Sequence, residues 1–171
     1  GIAPVQRSIW LVPAAGGPPQ QVAGGGEWSR GSPHWVNDQT LLYHASAEDG
    51  RQTTFLLTLP ERTENDIGAA IIVGDRYRHL GRALVAPSGR MIAIEAIRTD
   101  DAGADLLLLD ATGVRQETIN AGYWNRPLTW DDDGSLLYIT TNCASTMVQD
   151  YTLYRHSATE QSSLLIAGKS L

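Results

Sequence analysis

The chain is short of the residues that several common chemistries need. Among 171 residues it holds a single cysteine, Cys143. No internal disulfide framework can form, and a lone thiol with no partner motif reads as incidental rather than nucleophilic. There is one lysine, Lys169, no basic run, and a formal net charge of −6. Nucleic-acid surfaces draw on clustered Lys and Arg, so phosphate-backbone binding is excluded as the main role. No apolar run approaches the roughly 18 residues of a membrane span. Helical spacing of apolar residues never persists over about ten positions. The segment around Asp66 to Ile72 comes nearest, but it is short and ends in β-branched residues before Gly74.

Motifs of catalysis and cofactor binding are missing too. Gly-x-Ser-x-Gly does not occur. Gly24-Gly25-Gly26 lacks the Lys-Ser/Thr of a phosphate loop and reads as a flexible turn. His34, His44, His79 and His156 are far apart and in no ligand spacing; hydrogen-bonded, partly buried histidine is the ordinary reading. Asp131-Asp132-Asp133-Gly134 has Thr129 where a calcium loop would start with an acid, so it reads as a hairpin turn. No metal and no cofactor are expected. The first residue is Gly1 with no signal peptide ahead of it, which reads as a trimmed chain.

What is present is periodicity. Ser32-Pro33-His34-Trp35-Val36-Asn37-Asp38 leads into Thr40-Leu41-Leu42-Tyr43, and Arg126-Pro127-Leu128-Thr129-Trp130-Asp131-Asp132-Asp133-Gly134 leads into Ser135-Leu136-Leu137-Tyr138. A worn copy, Ala83-Leu84-Val85-Ala86-Pro87-Ser88-Gly89-Arg90-Met91-Ile92, lies between them. Spacings of 50 and 45 residues separate Trp35, Val85 and Trp130, the range of four-stranded repeats. With 42% apolar and 19% charged residues the chain is an ordinary globular one.

The apolar runs divide into strands punctuated by Gly, Pro, Asp and Asn. First strands are expected at Pro33–Val36, Arg82–Val85 and Pro127–Trp130, and second strands at Thr40–Ala45, Met91–Ile97 and Ser135–Thr141. Third strands are expected at Ser8–Val12, Thr54–Leu59, Asp105–Asp110 and Tyr151–Arg155, and fourth strands at Gln20–Ala23, Ala69–Val73, Arg115–Ile119 and Ser163–Ala167. The charged Pro60–Gly68 segment reads as an exposed loop.

Trp130-Asp131-Asp132-Asp133-Gly134-Ser135-Leu136-Leu137-Tyr138, Ser32-Pro33-His34-Trp35 and Leu106-Leu107-Leu108-Leu109-Asp110-Ala111-Thr112-Gly113 resemble the WD40-like repeat of TolB-type β-propellers. The resemblance covers almost the whole chain. It implies an all-β fold of four-stranded antiparallel meanders: a half blade over 1–26 and blades over 27–74, 75–120 and 121–171. Since propellers close with four to eight blades, three and a half imply a piece of a larger propeller or a ring completed by a second copy, a homodimer. The family leans the chain toward an extracytoplasmic setting.

An aromatic-x-basic pattern recurs just before each first strand: Trp28-Ser29-Arg30, Tyr77-Arg78-His79 and Trp124-Asn125-Arg126. Aromatic planes stack on ligands, and Arg clamps carboxylates. Trp28, Arg30, Tyr77, His79, Trp124 and Arg126 are therefore the candidate contacts for a protein, peptide or glycan. The same residues also suit packing between repeats. The expected function is a non-catalytic recognition or assembly scaffold. The alternatives are the propeller portion of a prolyl-oligopeptidase-like hydrolase whose nucleophile lies outside this chain, and a self-associating ring with no ligand.

Overall fold

The computed structural model describes residues 6–72, 76–100, 103–142, 150–157 and 160–169. Cys143, Val73 and the turn residues Ala158 and Thr159 lie outside the described residues. The described chain is 63% strand and 4% helix, so the fold is all-β. It forms two compact units that divide between Ile71 and Ile72.

The first unit opens with a two-stranded antiparallel sheet, β1 (Ile9–Leu11) and β2 (Gln20–Ala23). A four-stranded antiparallel meander follows: β3 (Trp28–Asn37), β4 (Thr40–Ala47), β5 (Gln52–Thr58) and β6 (Thr63–Asp66). A short helix, α1 (Ile67–Ile72), ends the unit. The second unit contains two meanders. The first is β7 (Tyr77–Val85), β8 (Met91–Arg98), β9 (Ala104–Asp110) and β10 (Arg115–Ile119). The second is β11 (Trp124–Trp130), β12 (Leu136–Thr141), β13 (Asp150–Ser157) and β14 (Glu160–Lys169). A parallel bridge between Trp124 and Ala104 joins them.

Two strand expectations are corrected. The fourth strand of the first meander is not Ala69–Val73 but β6, inside the segment read as the Pro60–Gly68 loop. The Asp66 carboxylate accepts from the Ala69 amide at 2.8 Å, an N-cap that turns the chain into α1. Local capping outweighs the β-branched tail there. Gly68 is required by close approach, since a Cβ would lie 2.2 Å from Thr53 Oγ1 and 2.8 Å from the Thr54 nitrogen. The first strands are also longer than expected: they start at Trp28, Tyr77 and Trp124, within the aromatic-x-basic pattern itself.

Each first strand carries a bulge beginning three residues after its aromatic, between Gly31 and His34, Leu80 and Ala83, and Pro127 and Thr129. In each, the first strand gains one residue on its partner, so the halves on either side are re-aimed independently. The turns repeat as well. Gly50, Gly113 and Gly134 have φ of 87°, 87° and 81°. Their amides close three-residue turns onto Ala47, Asp110 and Asp131 at 3.1, 3.0 and 3.0 Å.

Each unit has its own core. In the first, Ile9, Val22 and Ala23 of the small sheet pack with Leu41, Tyr43, Phe55 and Leu57 of the meander. In the second, Ala93, Leu106, Leu108 and Ile119 pack with Leu136 and Tyr138 of the following meander. Tyr43 stacks on Phe55 and Tyr138 stacks on Tyr154, at 5.4 and 5.3 Å between ring centres, so equivalent strands use equivalent aromatic pairs. A Cβ at Gly134 would meet no atom within 4 Å, so only the backbone conformation opposes a side chain there. Gly134→Ala is expected to lower stability by about 1–2 kcal/mol, read by urea denaturation, and Gly134→Asn by less.

Candidate functional site

Trp28 and Arg30, two apart on β3, share a strand face ahead of the bulge, as do Trp124 and Arg126 on β11, whereas on β7 a further register shift falls between Tyr77 and His79. Their surroundings separate the six. Arg30 is buried, with a 5% exposed side chain. Its guanidinium meets both oxygens of Glu64 on β6, at 3.2 and 3.3 Å, and donates to the Gly25 and Trp28 carbonyls at 2.8 and 3.1 Å. The Tyr43 hydroxyl donates to Glu64 as well. Burial opposes the Arg30 charge, but the bonds to Tyr43 and Glu64 outweigh it and hold its pKa above the ordinary value. Burial, and then the bond to Glu64, push the Tyr43 hydroxyl up. Arg30 thus ties three strands together.

Trp28 is partly exposed and lies under the Arg51 guanidinium, 5.2 Å from its ring centre. Arg51 is held by Glu27 at 2.6 Å and Asp49 at 2.7 Å. Beside them is a cleft of about 400 Å³ lined by Gln6, Glu27, Ser29, Ser46, Ala47, Glu48 and Asp49. Glu27, Glu48 and Asp49 supply three carboxylates to that lining, of which Glu27 and Asp49 pair with Arg51.

In the second unit two buried carboxylates organise the pattern. Asp105 of β9 is fully buried. It accepts from the Tyr77 hydroxyl at 2.8 Å and from Arg98 at 2.7 Å, and it pairs with Arg76 at 2.8 Å. Arg98 also donates to the Tyr123 carbonyl at 2.8 Å, so this network reaches the start of β11. Burial, and then the bond to Asp105, push the Tyr77 hydroxyl up to about 12. Glu95 of β8 accepts from Trp124 Nε1 and Arg126 Nε on one oxygen and from the Arg82 amide, at 3.2 Å, on the other. Arg126 is half-exposed and lies over the Trp124 ring at 6.0 Å. Burial, then Arg78, lower the His79 pKa, with Glu95 opposing.

Sequence reading missed Glu64, Glu95, Asp105 and Arg98, the residues that hold the pattern in place. A signal was available for Glu95, a lone charge inside the apolar run Met91–Ile97. The acidic run is a turn: the Asp133 carboxylate accepts from the Ser135 amide at 2.9 Å, and Arg155 pairs with both Asp131 and Asp133. Among the described residues no group of three or more His, Cys, Asp or Glu is arranged for a metal. His44 bonds Thr54 at 2.9 Å, and burial, then His34, lower its pKa. His156 bridges Ser162 and Glu117, at 3.0 and 3.2 Å, and fastens β13 to β14 and β10.

No protein-family model and no curated protein matches the chain. Among solved structures it is similar to TolB from Acinetobacter baumannii, at 18% identity with a TM-score of 0.61. The alignment covers 92% of this chain and 37% of that one, so the chain spans little more than a third of TolB's length. At that identity the likeness defines the fold alone: the meanders have the fold of β-propeller blades, as in TolB.

Arg30→Leu leaves the Tyr43 hydroxyl and the Glu64 carboxylate short of a donor. It is expected to cost about 1–3 kcal/mol in a denaturant titration, with Arg126→Ala costing less. The raised Tyr77 pKa gives a signed pH dependence. Its contribution to stability is complete below pH 10 and is lost as pH rises toward about 12. Tyr77→Phe is expected to flatten the alkaline fall in stability across that window.

Proposed function

We propose that this chain is a non-catalytic recognition scaffold, a half blade over residues 1–26 followed by blades over 27–74, 75–120 and 121–171, that binds a protein or peptide through the starts of its first strands. Arg126 and Trp124 carry the reading. The guanidinium lies over the indole, both reach the buried Glu95, and the side chain of Arg126 remains 51% exposed. An aromatic plane and a cation fixed from behind lose little freedom when a partner arrives, and Trp and Arg are typical anchors of protein interfaces. Trp28 and His79 are further contacts, whereas Arg30 and Tyr77 act by holding their strands in place. The TolB-type fold supports the scaffold reading and an extracytoplasmic setting.

The reading is tested by selecting a random peptide library against the purified chain. Enriched peptides are expected to carry an acidic side chain or a free carboxyl-terminal group for Arg126. Arg126→Ala is expected to weaken them by about tenfold, a difference near 1.4 kcal/mol, with a smaller loss of stability than Arg30→Leu and a chain that stays folded at the assay temperature. Equal binding to wild type and Arg126→Ala, or no enrichment, would count against it.

A further inference from the structure

Two tryptophans occupy the same register in different surroundings. Trp35 of β3 pairs with Leu41, and Trp130 of β11 pairs with Leu136. Trp130 packs on the core of its unit, and its Nε1 donates to the Leu84 carbonyl of β7 at 3.2 Å. Trp35 is 51% exposed. The contrast follows what precedes each strand. Ahead of β11 stands a full meander, whose first two strands bring Leu84, Met91 and Ala93 to Trp130 or its cluster. Ahead of β3 stand β1 and β2.

Register shows which strands those two represent. Ile9 pairs with Ala23 as Leu106 pairs with Ile119, and all four are buried in their cores. β1 therefore stands for β9 and β2 for β10, and counterparts of β7 and β8 are absent among the described residues. β9 pairs on both edges, with β8 and β10, whereas among the described residues β1 pairs with β2 alone. Trp10, the next residue of β1, is 55% exposed.

We infer that the edge of β1 away from β2 and the Trp35 indole form one acceptor site for a two-stranded β-hairpin with the pattern of β7 and β8. The hairpin's second strand pairs antiparallel with β1, as β8 pairs with β9. Its first strand offers Trp35 Nε1 a backbone carbonyl in the way Leu84 serves Trp130. The docked hairpin extends an interface that already exists, the packing of Ile9, Val22 and Ala23 on Leu41 and Tyr43. Edge pairing supplies affinity, and the indole fixes the register. This site is separate from the Arg126 surface and stands or falls without it.

The probe is a synthetic peptide of residues 77–98, titrated into the full chain labelled with fluorotryptophan and followed by fluorine NMR. The 5 tryptophans give separate signals, and Trp10→Phe and Trp35→Phe assign two of them. The Trp10 and Trp35 signals are expected to move to saturation, and a scrambled peptide is expected to move neither. Trp35→Phe, an exposed substitution checked by an unchanged melt, is expected to weaken binding about tenfold. The inference is overturned if neither signal moves, or if Trp124 and Trp130 move in their place. A Trp35 signal that shifts with concentration of the chain alone would assign the face to a second copy and overturn it equally.

Discussion

The central strands β8 and β9 carry apolar side chains on both faces, and much of the structure around them follows from the need to cover both. Residues Ile92 to Arg98 are buried without interruption, as are Ala104 to Leu109. An isolated antiparallel meander usually keeps one wet face and alternates accordingly. A sheet buried on both sides cannot, so its stability is shared with whatever packs against it. Within the second unit that partner is the following meander, through Leu106, Ile119, Leu136 and Tyr138. Within the first, the small sheet serves through Ile9 and Val22.

Covering both faces leaves polar chemistry few places to go, and the buried carboxylates show where it went. Glu95 and Asp105 sit on strands that are mostly apolar, and each is surrounded by donors from neighbouring strands. A buried charge that lost its donors would be costly, so these groups enforce strand alignment more than they add stability. The aromatic-x-basic pattern follows from this arrangement. The aromatic hydroxyl or indole N–H of Tyr77 and Trp124 reaches a carboxylate, and the side chain of Arg126 stays half-exposed beside it.

The strands were legible in the sequence because each is bracketed by a turn with its own chemistry. Asp110-Ala111-Thr112-Gly113 and Asp131-Asp132-Asp133-Gly134 form the turns their residues imply, with the Asp110 carboxylate accepting from Thr112 and Val114. Legibility failed where a long-range or capping contact decided the outcome. α1 depends on one carboxylate, Asp66, bonding the Ala69 amide, and β6 depends on pairing with β5 despite a polar sequence, Thr63-Glu64-Asn65-Asp66. The aromatic-x-basic residues were found by repetition, but their division into buried and exposed members was not. The partners that bury Arg30 and Tyr77 lie 34 and 28 residues away in sequence.

The recurrence of one tight hairpin has a consequence for how the chain reaches this state. Loops closed between residues three apart form early and cheaply, on the microsecond scale of hairpin formation. The turns at Gly50, Gly113 and Gly134 each join adjacent strands of a single meander. Sheets are thereby assembled from near neighbours along the polypeptide, and the slower search is confined to bringing finished sheets together. A kinetic barrier of that kind falls between blades rather than within them, so the sheet-to-sheet contacts set the pace of folding.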